Sequence, residues 1–472
     1  MIKSRVIFFF CIIGLCLTGG STHPTGLSMS SGWTSVETNI TRGVAWGDVN
    51  NDGFLDLAVA SKGGVRIYYN NDGSLSTVAN LNLSLGDDCY GVVWGDVNND
   101  GFLDLAVANN GQNRLYLNSN GALNATAAWN SLEIENSDGA AWGDINNDGY
   151  LDLVVANNGK PNRIYFNNGG TLSSSAGWSS VEEDYTYALA LGDVDNDGDL
   201  DLVVANNGQP KRIYYNNGST LDRAAGWNSS ETDYTYGVAL GDLNNDGYLD
   251  LAFGNYDGKK RVYYNNGTSI SRVAGWNSSE TDYTYGVALG DVDNNGYLDL
   301  VAVNYGQAKR IYYNNGSTVG TAAGWSSSET EQSYGVALGD SDNDGDLDLV
   351  VANNGQDRVY YNDQNDANYL KIRLVGLTSN RNAVGAKVRV YDQGSNLRCH
   401  REVRAGSGYG SMDALDILCG LNSSRLYYVN VTFPSGASFV CRMEFTNRTI
   451  TLYENGTGCS QVGIDRFTDV TA

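Results

Sequence analysis

Short apolar runs and polar, glycine-rich breaks alternate along this chain with a fixed period. Stretches such as YGVALGD (236–242) and LDLVVAN (151–157) are short, apolar or β-branched, and bounded by Gly and Asn, which predicts strands. A third stretch, RIYYNNG (212–218), carries aromatic residues suited to a half-buried strand. After a Gly/Ser/Thr-rich connection comes a fourth, GWNSSET (226–232). The set recurs seven times at a spacing of 48 or 49 residues, and four strands per period of this length predict an all-β fold, a seven-bladed β-propeller. The fourth strand also predicts how the ring closes. Segments of this type surround Trp129, Trp178, Trp227, Trp276 and Trp325, with a Trp-less version near Leu81. One more, around Trp33, precedes the first period, and the seventh period has none after Asn362. Outer strands and blades match in number only if the N-terminal segment completes the last blade, which would remove an exposed edge.

Between the first and second strands of each period lies a nine-residue acidic loop, DVNNDGFLD in its first copy (48–56). Positions 1, 3, 5 and 9 offer side-chain oxygens and position 7 a backbone carbonyl, while Gly at position 6 permits the turn. This is the all-oxygen set that a hard divalent cation prefers. The predicted calcium ligands are Asp48, Asn50, Asp52 and Asp56 in the first loop, and Asp96, Asn98, Asp100 and Asp104 in the second. The third and fourth offer Asp144, Asn146, Asp148 and Asp152, then Asp193, Asp195, Asp197 and Asp201. The fifth and sixth offer Asp242, Asn244, Asp246 and Asp250, then Asp291, Asp293, Asn295 and Asp299. The last offers Asp340, Asp342, Asp344 and Asp348. The sixth loop ranks lowest, because Asn295 replaces Asp at position 5. The first half matches an EF-hand, but position 12 is apolar (Val59) where an EF-hand needs a bidentate Glu, and strands rather than helices flank the loop.

The loops, with the preceding GVALGD and following LDLVVAN, resemble the FG-GAP (VCBS) repeats of integrin α-chains and many secreted proteins, over roughly residues 31 to 362. The resemblance implies the propeller and calcium binding, and leaves the ligand open. Beyond the stretch DQNDAN (363–368) the period stops, and YLKIRLVGL, AVGAKVRVY, LYYVNVTF, SFVCRMEF and RTITLYE predict a β-sandwich of about 100 residues. There NAVGAKVRVY (382–391), REVRAGSGYGS (401–411), CGL (419–421) and VTFPSG (431–436) resemble the ASPIC and UnbV domain of the cartilage acidic protein family. The chain departs from that pattern at Met412, Leu418 and Phe433. The expected organisation is a signal peptide (1–22), the propeller (23–365), the sandwich (366–465) and a tail (466–472).

Other features point to the outside of the cell. Lys3 and Arg5 precede the apolar run VIFFFCIIGLCL, a secretory signal too short to span a bilayer, with cleavage expected between Gly19 and Thr22; no other segment is long enough to cross. Cys399, Cys419, Cys441 and Cys459 form an even cluster expected to make two disulfides in any of three connectivities, while Cys89 reads as a buried small residue. Twelve N-x-[ST] sequons, from Asn39 to Asn455, fit a glycoprotein. The formal charge of −24 makes nucleic acid an unsuitable partner. With only His23 and His400, no nucleophile–histidine arrangement can be assembled, and the carboxylates sit at repeated positions, so the chain is expected not to be an enzyme. The leading expectation is a secreted, calcium-stabilised recognition or adhesion protein with an extracellular protein or glycan partner. The alternative is a carbohydrate-active propeller, a lectin or a polysaccharide lyase.

Two finer expectations concern pairing and docking. Arg begins each third strand (Arg66 to Arg358) and Glu follows the fourth-strand Trp by four residues, so Arg114–Glu133, Arg163–Glu182 and, at the closure, Arg358–Glu37 are expected as cross-strand pairs. Sequons Asn124, Asn217, Asn266 and Asn315 fall in third connections, on the face of the calcium loops. The opposite face carries Tyr185, Tyr187, Tyr234, Tyr236, Tyr283, Tyr285 and Tyr334 beside Asp184, Asp233 and Asp282, and is the expected recognition surface, although the same tyrosines suit packing between blades.

Overall fold

A computed structural model describes residues 27–28, 30–363, 368–421, 426–443 and 446–459. The signal segment, most of the stretch after Asp363 and the tail from 460 onward lie outside the described residues. Every regular element among the described residues is a strand.

Seven four-stranded antiparallel blades surround a central axis. In the fifth, Thr235–Gly241 pairs with Asp250–Asn255, then Gly258–Tyr263, then Trp276–Asp282. The seventh blade is completed from the other end of the chain: Trp33–Thr34 pairs with Arg358–Tyr360, in register Trp33 to Val359 and Thr34 to Arg358. The second strands are buried along their whole length, as in Asp201–Asn206. Neighbouring blades cover both faces of each sheet, which is why LDLVVAN-type segments lack the polar alternation of a one-sided strand.

Blades are joined by a repeated aromatic contact. Each fourth-strand Trp packs edge-on against the third-strand Tyr of the next blade, as in Trp129–Tyr165, Trp178–Tyr214, Trp227–Tyr263, Trp276–Tyr312 and Trp325–Tyr360, with centroids 5.1 to 5.7 Å apart. Trp33 makes the same contact with Tyr68 of the first blade, at 5.4 Å and 84°. Such pairs contribute about 0.5–1.5 kcal/mol each beyond the area they bury.

The expected Arg–Glu pairs do not form. The fourth strand is only two residues long in most blades, so the chain beyond the Trp has already turned toward the next blade before it reaches the Glu. Glu182 accepts from Tyr214 Oη and Ala225 N of that next blade, and Glu37 likewise accepts from Tyr68 Oη and Ala79 N. The arginines take acids two residues further along, from the connection entering their own blade: Arg163 with Glu135, Arg212 with Asp184, Arg261 with Asp233, Arg310 with Asp282 and Arg358 with Glu331. Closure by the N-terminal strand stands, although Arg358 does not take Glu37.

The C-terminal unit is a two-sheet sandwich. Asn368–Val375 lies between Ile417–Leu421 and, in parallel, Arg448–Tyr453. The other sheet runs Leu397–Glu402, Lys387–Asp392, Tyr427–Thr432 and Ser438–Met443. The disulfides are Cys399–Cys419, which ties one sheet to the other, and Cys441–Cys459; Cys89 is free and buried.

Candidate metal sites and the two faces of the ring

Each acidic loop is shaped by two residues in left-handed backbone. Gly53 and its counterparts at position 6 have φ near +95°, which only glycine adopts without strain. Position 4 is Asn in all seven loops, with φ between 53° and 63° from Asn51 to Asn343. Position 4 is not among the predicted ligands, although an Asn recurring beside a turn glycine is itself a sign of left-handed backbone. Its side chain links loop to loop. Asn51 Nδ2 donates to Gly101 O, Asn99 to Gly149 O and, across the closure, Asn343 to Gly53 O, each at 2.9 Å.

Position 9 is a structural anchor as much as an oxygen donor. Asp56 is fully buried and accepts Val49 N at 3.1 Å and Asn70 N at 2.8 Å, and its counterparts repeat the arrangement. Burial pushes these carboxyls up against the amide hydrogen bonds, to about 7 for Asp56, Asp104 and Asp152 and about 8 for Asp201 and Asp250. A buried carboxylate at such a site is stabilised by a bound cation.

Position 3 divides the loops into two kinds. Where it is Asn, its Nδ2 donates to the position-5 carboxylate at 2.9–3.0 Å, and Oδ1 of the first Asp accepts the position-5 amide, as at Asp48, Asp96, Asp144 and Asp242. Where it is Asp, Oδ1 of the first Asp is buried without a hydrogen-bond partner, at Asp193, Asp291 and Asp340. The same three loops bring carboxylates together: Asp193, Asp195 and Asp197; Asp291, Asp293 and Asp299; and Asp340, Asp342 and Asp344, with ligand oxygens in each group within 4.8 Å of one another. The donors therefore fit a hard cation. In the sixth loop Asn295 does not disperse the group, because the buried Asp299 takes the third place.

The loop face is covered by the C-terminal unit. Lys387 Nζ bonds Asp193 Oδ2 and Asn196 Oδ1, and Lys371 Nζ bonds Asp340 Oδ2 (3.0 Å) and Asn343 Oδ1 (2.7 Å). His400 Nδ1 meets Asp242 Oδ2 at 3.0 Å, and Gly420 N donates to Asp291 Oδ2 at 3.0 Å. Burial lowers the His400 pKa, against the hydrogen bond to Asp242, which raises it. On the second loop, Asn382 Oδ1 accepts Asp96 N. Third connections lie beside the loops, Gly121 next to Asn50 and Gly170 next to Asn98, so the sequons expected on this face follow its outer side.

From this domain a finger, residues 403–414, enters the central channel. Its backbone bonds inner strands around the ring: Trp142 N to Ala405 O, Gly408 N to Val238 O, Val92 N to Gly410 O, Met412 N to Val44 O and Ala414 N to Leu338 O. Gly410 permits the approach, since a Cβ there would lie 2.4 Å from Tyr90 O. The AGSGYGS sequence carries no strand or helix period, which is why its destination was not legible.

At the far end of the channel the tyrosines divide. Each inner strand has a bulge, at Arg42, Tyr90, Asp138, Tyr187, Tyr236, Tyr285 and Tyr334, which drops that residue out of the ladder. Tyr187, Tyr285 and Tyr334 surround the buried tip residue Tyr409 at 6.3, 5.6 and 6.4 Å. Tyr185, Tyr234 and Tyr283 instead remain 55, 58 and 38 % exposed on the surface. Asp184, Asp233 and Asp282 are committed to arginines.

The FG-GAP-like repeat family matches residues 48–107, 96–155, 144–204, 193–253, 242–302 and 291–351, and the ASPIC and UnbV family matches 376–458. No curated protein matches the chain. Among solved structures, the BBS1N–ARL6DN complex soaked with lead is similar at 13 % identity and TM-score 0.53, covering 72 % of this chain and 98 % of that one. Its mercury-soaked counterpart gives 12 %, 0.49, 72 % and 96 %. At this identity the likeness concerns the fold alone.

Proposed function

From a chain that belongs to the FG-GAP-like repeat family and carries an ASPIC and UnbV domain, we propose a secreted, calcium-stabilised recognition or adhesion protein that is not an enzyme. About seven calcium ions would occupy the loops, held by the carboxylates and amide oxygens at positions 1, 3, 5 and 9, and would supply only fixed positive charge. Three buried, unpartnered Asp oxygens support this reading, as does the burial that raises the position-9 carboxyls. Secretion is supported by the basic and apolar N-terminal segment and by two disulfides. Among the described residues no helix is long and apolar enough to cross a membrane.

The observation that carries the choice of face is the C-terminal domain's cover of the loop side and the channel, which among the described residues leaves the tyrosine-bearing side uncovered. An extracellular protein or glycan partner would meet Tyr185, Tyr234 and Tyr283 there, as rigid apolar rings with a hydroxyl. Glycan and cell-surface binding screens, with and without calcium, test this reading. Tyr234→Ala with Tyr283→Ala should weaken binding while calcium binding is retained. Normal binding by that variant would move the site elsewhere, and release of unsaturated sugar products absorbing in the near ultraviolet would replace recognition by lyase activity.

A further inference from the structure

Six of the seven third-strand arginines pair with an acid from the connection entering their blade: the five already named, and Arg114 with Asp87 at 2.6 Å. Arg66 of the first blade differs. Its acid would stand at residue 39, which precedes Arg66 by the 27 positions that separate Asp87 from Arg114 and Glu331 from Arg358. Residue 39 is Asn. Among the described residues Arg66 forms no ion pair, and its Nη1 is buried with no hydrogen-bond partner. The charges of Glu37 and Asp357 reach it, but both carboxylates are held by other donors: Tyr68 Oη and Ala79 N on Glu37, Thr41 Oγ1 and Asn353 N on Asp357.

The place of the missing acid is open. A cavity of about 190 Å³ lies there, with Arg66, Lys62, Asn39, Asn82 and Ser84 in its walls, and among the described residues its lining brings no carboxylate. Gly63 and Gly64, also in the lining, carry no side chain to cover the guanidinium. Lys62 N donates to Ile40 O at 3.0 Å as Asn207 N donates to Tyr185 O at 2.9 Å, so the cavity lies on the tyrosine-bearing side. A planar guanidinium suits a carboxylate, which it holds by two parallel bonds in Arg163–Glu135 and Arg212–Asp184. The local charge suits one as well. Arg66, Lys62, Glu37 and Asp357 with one added carboxylate reach the single negative charge that Arg212 already has with Glu182 and Asp184. The overall charge of −24 opposes an acidic ligand only at long range, and at physiological salt the Debye length is about 8 Å.

We propose that the cavity beside Arg66 is a carboxylate subsite that takes a Glu or Asp side chain of an extracellular protein, in the place Asp184 holds beside Arg212. A protein side chain is the occupant because the other six blades fit this guanidinium with a carboxylate on the short flexible arm of Asp or Glu. That the acid comes from a partner rests on the reading of this side as the recognition face. The cavity's preference for a carboxylate does not.

The test uses the full chain made without N-glycans, which leaves Asn39 and Asn82 bare, at physiological salt and saturating calcium. It is titrated against immobilised acetyl-Gly-Glu-Gly-amide and the Gln counterpart of that peptide, with free glucuronate as a third probe. The Glu peptide should bind about tenfold or more tightly than the Gln peptide. Arg66→Met should remove the preference. So should Asn39→Asp, which supplies the acid from within and fills the cavity while the melting temperature is kept. Asn39→Ala adds no charge and should retain the preference, as should Tyr234→Ala with Tyr283→Ala, so failure of the tyrosine reading leaves this result standing. Equal binding of the two peptides, a Glu preference that survives Arg66→Met or Asn39→Asp, or its loss in Asn39→Ala would each overturn the subsite. Binding of glucuronate without the peptide would overturn a protein side chain as its occupant.

Discussion

Closure of the ring by residues near the N-terminus is tested by Trp33→Ala, with Trp178→Ala as its internal control. The two indoles make the same contacts: 5 % exposure each, an edge-on Tyr of the next blade at 5.4 and 5.7 Å, and an Nε1 hydrogen bond to a carbonyl of that blade (Ser76, Leu221). Truncating a buried Trp costs about 3–5 kcal/mol, of which the ring pair accounts for about 0.5–1.5. Spread over the unfolding entropy of a ring of roughly 330 residues, that lowers the midpoint by about 4–7 °C. The closure site adds a penalty the control lacks. Trp33 holds a strand of two residues, and with it Ser35, which bonds Asp357, and Glu37, which bonds Tyr68. Calorimetry in saturating calcium should therefore show Trp33→Ala at least as destabilised as Trp178→Ala, with faster exchange of the Arg358–Tyr360 strand. A Trp33→Ala loss below about 0.5 kcal/mol beside a full loss for Trp178→Ala would refute closure by this strand.

Other consequences can be checked on the same material. Replacing Cys399 and Cys419 by Ser opens a loop with a sequence separation of 20, costing about 3 kcal/mol by loop-closure entropy; thermal unfolding should register it, and an unchanged midpoint would show that the disulfide does not brace the finger. Arg212→Met should destabilise the contact between the third and fourth blades, because it leaves the buried Asp184 with only an Asn206 donor; if Glu182→Gln proved costly through Arg163, the expected within-blade pairing would return. Glu454 responds to pH. Burial raises its pKa, but hydrogen bonds from Ser435, Thr378, Leu377 and Ser379 outweigh this and hold it at about 2. A carboxylate held below its ordinary 4.5 stabilises the fold above that pH, and the contribution is lost as pH falls toward 2. Wild type should thus lose stability across this window relative to Glu454→Gln, and parallel pH profiles would contradict it.

Much of the architecture was legible because repetition supplied its own controls. Seven copies of the loop gave the blade number, and the missing seventh outer strand led to Trp33. Pairings that depend on where a short strand ends were not legible. Glu182 follows Trp178 by four residues, but two of those suffice to leave the blade, and its partners Tyr214 and Ala225 belong to the next one. Asn at position 4 offers no obvious ligand in the sequence, yet its side-chain bond, made from left-handed backbone, links one loop to the next. The tyrosines could not be sorted from sequence, since Tyr185 and Tyr187 stand two apart and only the inner-strand bulge turns one toward Tyr409 and leaves the other in solvent. Which cysteines pair followed from topology alone: Cys399 and Cys419 stand at the two necks of the finger, in different sheets.

Calcium as the structural ion of the ring is tested most directly by counting bound ions and following thermal unfolding on the same sample. With an extracellular-type affinity of about 0.1 mM, ~1 mM calcium adds roughly 1.4 kcal/mol per loop by mass action, on the order of 10 kcal/mol over the ring. About seven ions per chain and a large fall in the melting temperature on chelation are predicted. One or two ions, or a melting curve unchanged in chelator, would contradict the account.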